Sequence, residues 1–146
     1  MLTQGATNTF KTGLANGTFS FSDPLDTSYR IALYTGNATL GPDTTSYTTT
    51  GEASGGSYVA GGATLTITQT PTQGNQTGST AATYWSFANV SWTGAITARG
   101  ALIYKYNGTT NPTVCVLDFG SDKTSANTFV VQFPTATSTT AILRIA

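Results

Sequence analysis

Short runs of strand-forming residues, each closed by a turn signal, constrain this chain more than any other feature. Thr64-Leu65-Thr66-Ile67-Thr68 alternates residue by residue, which sets Leu65 and Ile67 on one face and the threonines on the other. Tyr29, Ile31 and Leu33 share a face in the run Tyr29 to Tyr34. Trp85 and Phe87 do so in the run Tyr84 to Phe87, and Val90 and Trp92 extend that pattern. Further runs span 101–106, 113–119, 128–133 and 141–145. Gly36-Asn37, Gly41-Pro42, Gly61-Gly62, Asn107-Gly108 and Asn111-Pro112 punctuate them, and such dipeptides mark chain reversals. Many short strands with frequent turns predict an all-β, antiparallel β-sandwich, jelly-roll-like or immunoglobulin-like. Thr18 to Phe21 reads as one more strand.

One short helix is expected near the N-terminus. Phe10, Leu14 and Ala15 fall on one helical face, and Asn16-Gly17 is a stop signal. The polar segment 1–10 reads as an extended N-terminal arm that orders on a neighbour, with Leu2 and Phe10 as its contact residues. Two stretches, 36–56 and 69–83, are rich in Thr, Gly, Ser and Gln and read as long loops. A length of 146 residues without a linker predicts a single domain, 1–146.

Composition narrows the chemistry. Six Lys plus Arg balance six Asp plus Glu, and only 8% of residues are charged. The basic residues are scattered, so no stripe exists to displace counterions from a nucleic acid or to hold an anionic membrane. No apolar run approaches the roughly 20 residues of a membrane helix. The N-terminus lacks the basic-then-apolar pattern of a signal peptide, which points to synthesis in a cytoplasm. Asn-x-Ser/Thr sequences at Asn16, Asn37, Asn75, Asn89 and Asn107 therefore read as coincidence in a Thr-rich chain. A net charge of zero favours association, which suits a protein that ends in a packed assembly.

The chain has no histidine, which removes Ser-His-Asp and Cys-His triads and His-based zinc sites. No Walker A phosphate loop occurs. The single cysteine, Cys115, lies in an apolar run and reads as a buried core residue. Carboxylates are the remaining acid–base candidates, with Glu52 the sole glutamate. Their turn contexts favour loop capping over a glycosidase pair, so a non-enzymatic protein without cofactor or metal is expected. A calcium loop on Asp118 and Asp122 is the milder alternative. Trp85 and Trp92 read as core. Tyr47, Tyr58 and Tyr106 lie near loops and are contact candidates for a partner or a glycan.

The most informative stretch joins Ile96 to Tyr104 with Val116 to Ser125. It reads as two core strands and a polar loop, with Arg99 paired to a carboxylate such as Asp118 and with Asp122 in the same loop. Five segments of the chain together resemble the small β-rich virion proteins of tailed bacteriophages. They are Tyr29-Arg30-Ile31-Ala32-Leu33-Tyr34, the stretch Ser57 to Leu65 with Tyr58-Val59-Ala60-Gly61-Gly62, Thr97-Ala98-Arg99-Gly100-Ala101-Leu102-Ile103-Tyr104, Leu117-Asp118-Phe119-Gly120-Ser121-Asp122 and Leu143-Arg144-Ile145. Their order and spacing match across about four-fifths of the chain. The pattern usually has Gly where Ser57 stands. The resemblance implies a virion structural protein, assembled in the host bacterial cytoplasm. It implies a capsid decoration (cement) protein whose partner is the major capsid protein, with a tail or fibre-associated component as the alternative. Homo-oligomers are expected of such proteins. The resemblance carries no catalytic motif.

Overall fold

The computed structural model describes residues 1–74 and 82–146. The sequence Asn75-Gln76-Thr77 and the middle of the expected loop 69–83 lie outside the described residues. The elements run in the order β1 (Gly5–Ala6), α1 (Asn8–Asn16), β2 (Tyr29–Tyr34), β3 (Ala63–Thr64), β4 (Ile67–Gln73), β5 (Thr83–Phe87), β6 (Val90–Thr93), β7 (Ile96–Lys105), β8 (Thr113–Ser125), β9 (Thr128–Val131) and β10 (Leu143–Ile145). These strands pair antiparallel, in a five-stranded sheet β1-β8-β7-β2-β3, a three-stranded sheet β10-β5-β4 and the pair β6-β9. The fold is all-β and sandwich-like, with one short helix among the described residues.

The two smaller sheets and the helix cover one face of the large sheet. Tyr29, Ile31 and Leu33 from β2, Ala101 and Ile103 from β7, and Val114 from β8 meet Trp85, Phe87, Trp92, Phe129 and Leu143 across the interface. Aromatic rings fill the gap: Phe21 stacks on Tyr29 at 4.4 Å between centroids and lies 5.1 Å from Trp85. Each fully buried ring of this kind contributes about 1.5–3 kcal/mol. Thr18 to Phe21, expected as a strand, is not one. It runs as irregular chain because its rings dock on the helix and core, Phe19 against Phe10 at 5.3 Å.

The helix forms where the sequence signals place it, and its ends are satisfied. The Thr7 hydroxyl caps it by accepting from Phe10 N at 3.1 Å, and Gly17 closes it in the left-handed region at φ 80°. Gly13, a poor helix former, serves packing. A Cβ there would stand 2.3 Å from the Phe19 ring.

The pairs β6-β9 and β7-β8 are two parts of one bent ribbon. Thr93 faces Thr128 and Ile96 faces Ser125, so the register passes unbroken through a corner at residues 94–95 and 126–127. Val90 and Trp92 therefore do not extend β5; they belong to a strand that turns into the large sheet. The stretch after Asp118, expected as a loop, stays in β8 as a wide bulge: Ala98 faces Lys123 and Gly100 faces Asp118, leaving 119–122 opposite Arg99 alone. The stretch from Gln69, also expected as loop, continues β4 as far as Gln73.

Residues 1–10 do not extend as an arm. The Met1 ammonium donates to Ala38 O at 2.6 Å, Thr3 N donates to Leu40 O at 2.8 Å, and Gly5–Ala6 pairs with Val116 and Cys115. Leu2 and Phe10 are buried in this chain's own core, so neither is an available contact residue. The physical reason is the edge of β8, whose backbone groups take up the N-terminal strand, and the helix that follows it.

Candidate functional site

Two polar clusters border this apolar frame: one at the edge of β2, where Glu52 bridges Tyr34 and draws Tyr58 from the core side, and one on the side of the large sheet away from the small sheets. There, Ala32 and Tyr34 of β2, Leu102 and Tyr104 of β7 and Val116 of β8 form a second buried cluster with Leu2, Ala38 and Leu40. The cover is the stretch expected as a long loop. It is pinned by Ala53 N to Leu33 O at 2.8 Å, Thr35 N to Gly51 O at 2.9 Å and Tyr47 N to Asn111 O at 3.0 Å.

Glu52 is the centre of the first cluster. Its Oε1 accepts from the Tyr58 hydroxyl at 2.6 Å and from Gly61 N at 2.7 Å, and its Oε2 accepts from the Tyr47 hydroxyl at 2.7 Å. The Tyr58 hydroxyl also accepts from Leu33 N at 2.9 Å. The Tyr104 hydroxyl donates to Gly61 O at 2.8 Å, and its ring stacks on Tyr47 at 4.7 Å. One carboxylate thus ties the loop to a turn and to the sheet. Burial, then hydrogen bonding to Glu52, raises the Tyr47 and Tyr58 phenols above the ordinary tyrosine range. They are held as neutral donors. Neither is a free aromatic face for a glycan or a partner, which corrects the expectation for both; Tyr58 is buried and Tyr47 half-buried. Tyr106 remains exposed, with the Arg30 guanidinium 4.0 Å from its ring centroid.

The turn that supplies Gly61 has no room for a side chain at Gly62. Gly62 has φ 74°, and a Cβ there would stand 1.8 Å from Ile31 O. The Gly-Gly pair is a condition for laying this turn across β2.

The second cluster sits at the bulge. Arg99 Nε donates to Asp118 Oδ1 at 2.8 Å, and the same oxygen accepts from Gly120 N at 2.8 Å. Gly120 has φ 80°, which the bulge requires. The hydrogen bond from Arg99 holds the Asp118 carboxyl below its ordinary value, and Asp118 raises Arg99 in turn. The Asp122 side chain has no hydrogen-bond partner among the described residues but adds to the field on Arg99, and it lies close to the turn at Gly36. The expected pairing of Arg99 with Asp118 is present. Among the described residues no group of three or more His, Cys, Asp or Glu is placed to hold a metal ion. Cys115 is buried, and burial pushes its thiol up to about 12.

Sequence reasoning missed the Glu52 cluster. Its one available signal was a lone glutamate between Tyr47 and Tyr58 in a segment otherwise of Thr, Ser, Gly and Ala. Chemically, both clusters fix geometry. Every carboxylate oxygen that faces inward at Glu52 is already satisfied, and Asp118 is engaged by a guanidinium and a backbone N–H.

No family model, curated protein or solved structure matches this chain. The fold defines a class: an all-β, sandwich-like protein with hydrogen-bonded polar clusters at Glu52 and at the Arg99–Asp118 pair.

Proposed function

We propose that this chain is a structural protein of a tailed-bacteriophage virion, and that it decorates the outer capsid and binds neighbouring subunits of the major capsid protein. The observation that carries the reading is where the five resembling segments fall. Tyr29 to Tyr34 is β2, Ser57 to Leu65 is the turn laid across it, Thr97 to Tyr104 lies in β7, and Leu117 to Asp122 is the bulged part of β8. Leu143 to Ile145 is β10, which pairs with Trp85 and its neighbours. The segments that resemble the virion proteins are the frame, and their polar residues serve the frame.

Binding to a shell would draw on apolar area at about 25 cal/mol per Å² and on strand-edge pairing. The neutral, weakly charged surface suits such packing. The test is addition of the purified protein to mature capsids that lack it, followed by sedimentation and virion reconstruction. Saturable binding to the outer shell is the expected outcome. Failure to bind, with the chain located in the tail, overturns the capsid assignment.

A further inference from the structure

The bent ribbon leaves one strand edge open. Along a strand, the N–H and C=O of one residue face one side and those of the next face the other. Asn127 O accepts from Gly94 N at 2.6 Å, and Phe133 N donates to Asn89 Oδ1 at 2.8 Å, both on the β6 side. The odd-numbered residues of β9 therefore bond β6, with Phe129 opposite Trp92 and Val131 opposite Val90. The N–H and C=O groups of Thr128, Val130 and Gln132 face outward, and β9 is the terminal strand of its sheet. Phe129 and Val131 are buried, whereas Val130 is 53% exposed. A groove of about 500 Å³ runs along this edge, lined by Phe119 and Phe129 toward the core, by Val130 and Gln132 on the rim and by Lys123 from β8.

Proteins usually guard such an edge with charge, proline or a bulge. On this chain the guards flank β9 without lying on it. The bulge at 119–122 and Lys123 belong to β8 and Pro134 lies beyond Gln132, while Thr128 to Gln132 carries neither charge nor proline.

We infer that β9 pairs antiparallel with β9 of a second copy, about a two-fold axis at Val130. That register sets Val130 against Val130 of the second copy and Thr128 against Gln132, each facing pair exchanging both backbone hydrogen bonds. A two-fold axis brings an edge against itself, so a charged edge would repel its own copy; this one is uncharged and carries an exposed valine at its centre. The result is a continuous β6-β9-β9-β6 sheet, and the groove beside it gives the second strand room. The inference is independent of the virion reading, because it needs only the edge.

Sedimentation equilibrium of the purified full chain tests it. The wild type is expected to show a monomer–dimer equilibrium. Val130→Pro removes an outward N–H that the β6 ladder does not use, and is expected to weaken the dimer by at least about tenfold. Val130→Lys places two ammonium groups face to face, and is expected to weaken the dimer in a way that added salt relieves. Val130→Thr is expected to leave it near wild type. Urea midpoints check the fold, and if Val130→Pro is unfolded, Val130→Lys carries the test. A wild type that stays monomeric at every concentration overturns the proposal. So does a dimer that a folded Val130→Lys leaves intact at low salt, or a β9 edge that takes a strand of another protein in place of its own copy.

Discussion

The two faces of the five-stranded sheet are buried by different means. One face is covered by sheets, a helix and a dense set of rings, including Phe10, Phe21, Trp85 and Phe87. The other is covered by irregular chain with few apolar residues, and is held by hydrogen bonds that converge on Glu52. Apolar burial is non-directional and tolerates small shifts. A carboxylate with three donors is directional, and losing one partner leaves buried groups unsatisfied. The first face sets how stable the fold is. The second sets whether one particular loop stays in place.

Truncation on the ring-covered face is expected to have the largest effect. Trp85→Ala should cost about 3–5 kcal/mol of unfolding free energy, measured by urea titration. An unchanged midpoint would mean that the smaller sheets do not close the core.

Glu52→Gln should cost less, about 2 kcal/mol, because the amide keeps the volume but faces one of its hydrogen bonds the wrong way. Its signature should be local. Hydrogen exchange at Gly61 N and Leu33 N is expected to accelerate, while β5 keeps its protection. A uniform loss of protection through both faces would erase the distinction drawn between them.

The smallest effect belongs to the surface pair at the bulge, where the sign of the pH dependence follows from Asp118. Its folded pKa is depressed, so its contribution is full above the unfolded carboxylate value of about 3.9 and is lost as pH falls through the folded value. Asp118→Asn should be less stable than wild type at neutral pH, and the difference should shrink on acidification. A gap that widens as pH falls would assign the acid response to other carboxylates.

The strand runs were legible because alternation and turn residues are local. Leu65 and Ile67 point inward as the pattern requires, and Asn16-Gly17 ends the helix. Alternation tells which residues share a face; it does not tell whether the opposite face is also covered. Ala32 and Tyr34 have no accessible surface, although the pattern set only Tyr29, Ile31 and Leu33 inward. The cover was hidden in a segment that reads as polar loop, because a handful of residues such as Ala38 and Leu40 close it. Residues 1–10 misled for a similar reason: two buried side chains, Leu2 and Phe10, and backbone pairing with β8 order an otherwise polar segment, and pairing leaves no compositional trace.

By itself, the sequence determined the class of fold, the run of strands and turns, the capped helix and the absence of histidine-based chemistry. These depend on side-chain periodicity, backbone preference and residue identity, all of which act within a few positions. Only the tertiary structure decided that Glu52 gathers Tyr47, Tyr58 and Gly61, that the ribbon bends in register at 94–95, and that β9 keeps an open edge. Those features depend on register between strands far apart in the chain, where a shift of one residue exchanges the two faces and the two edges.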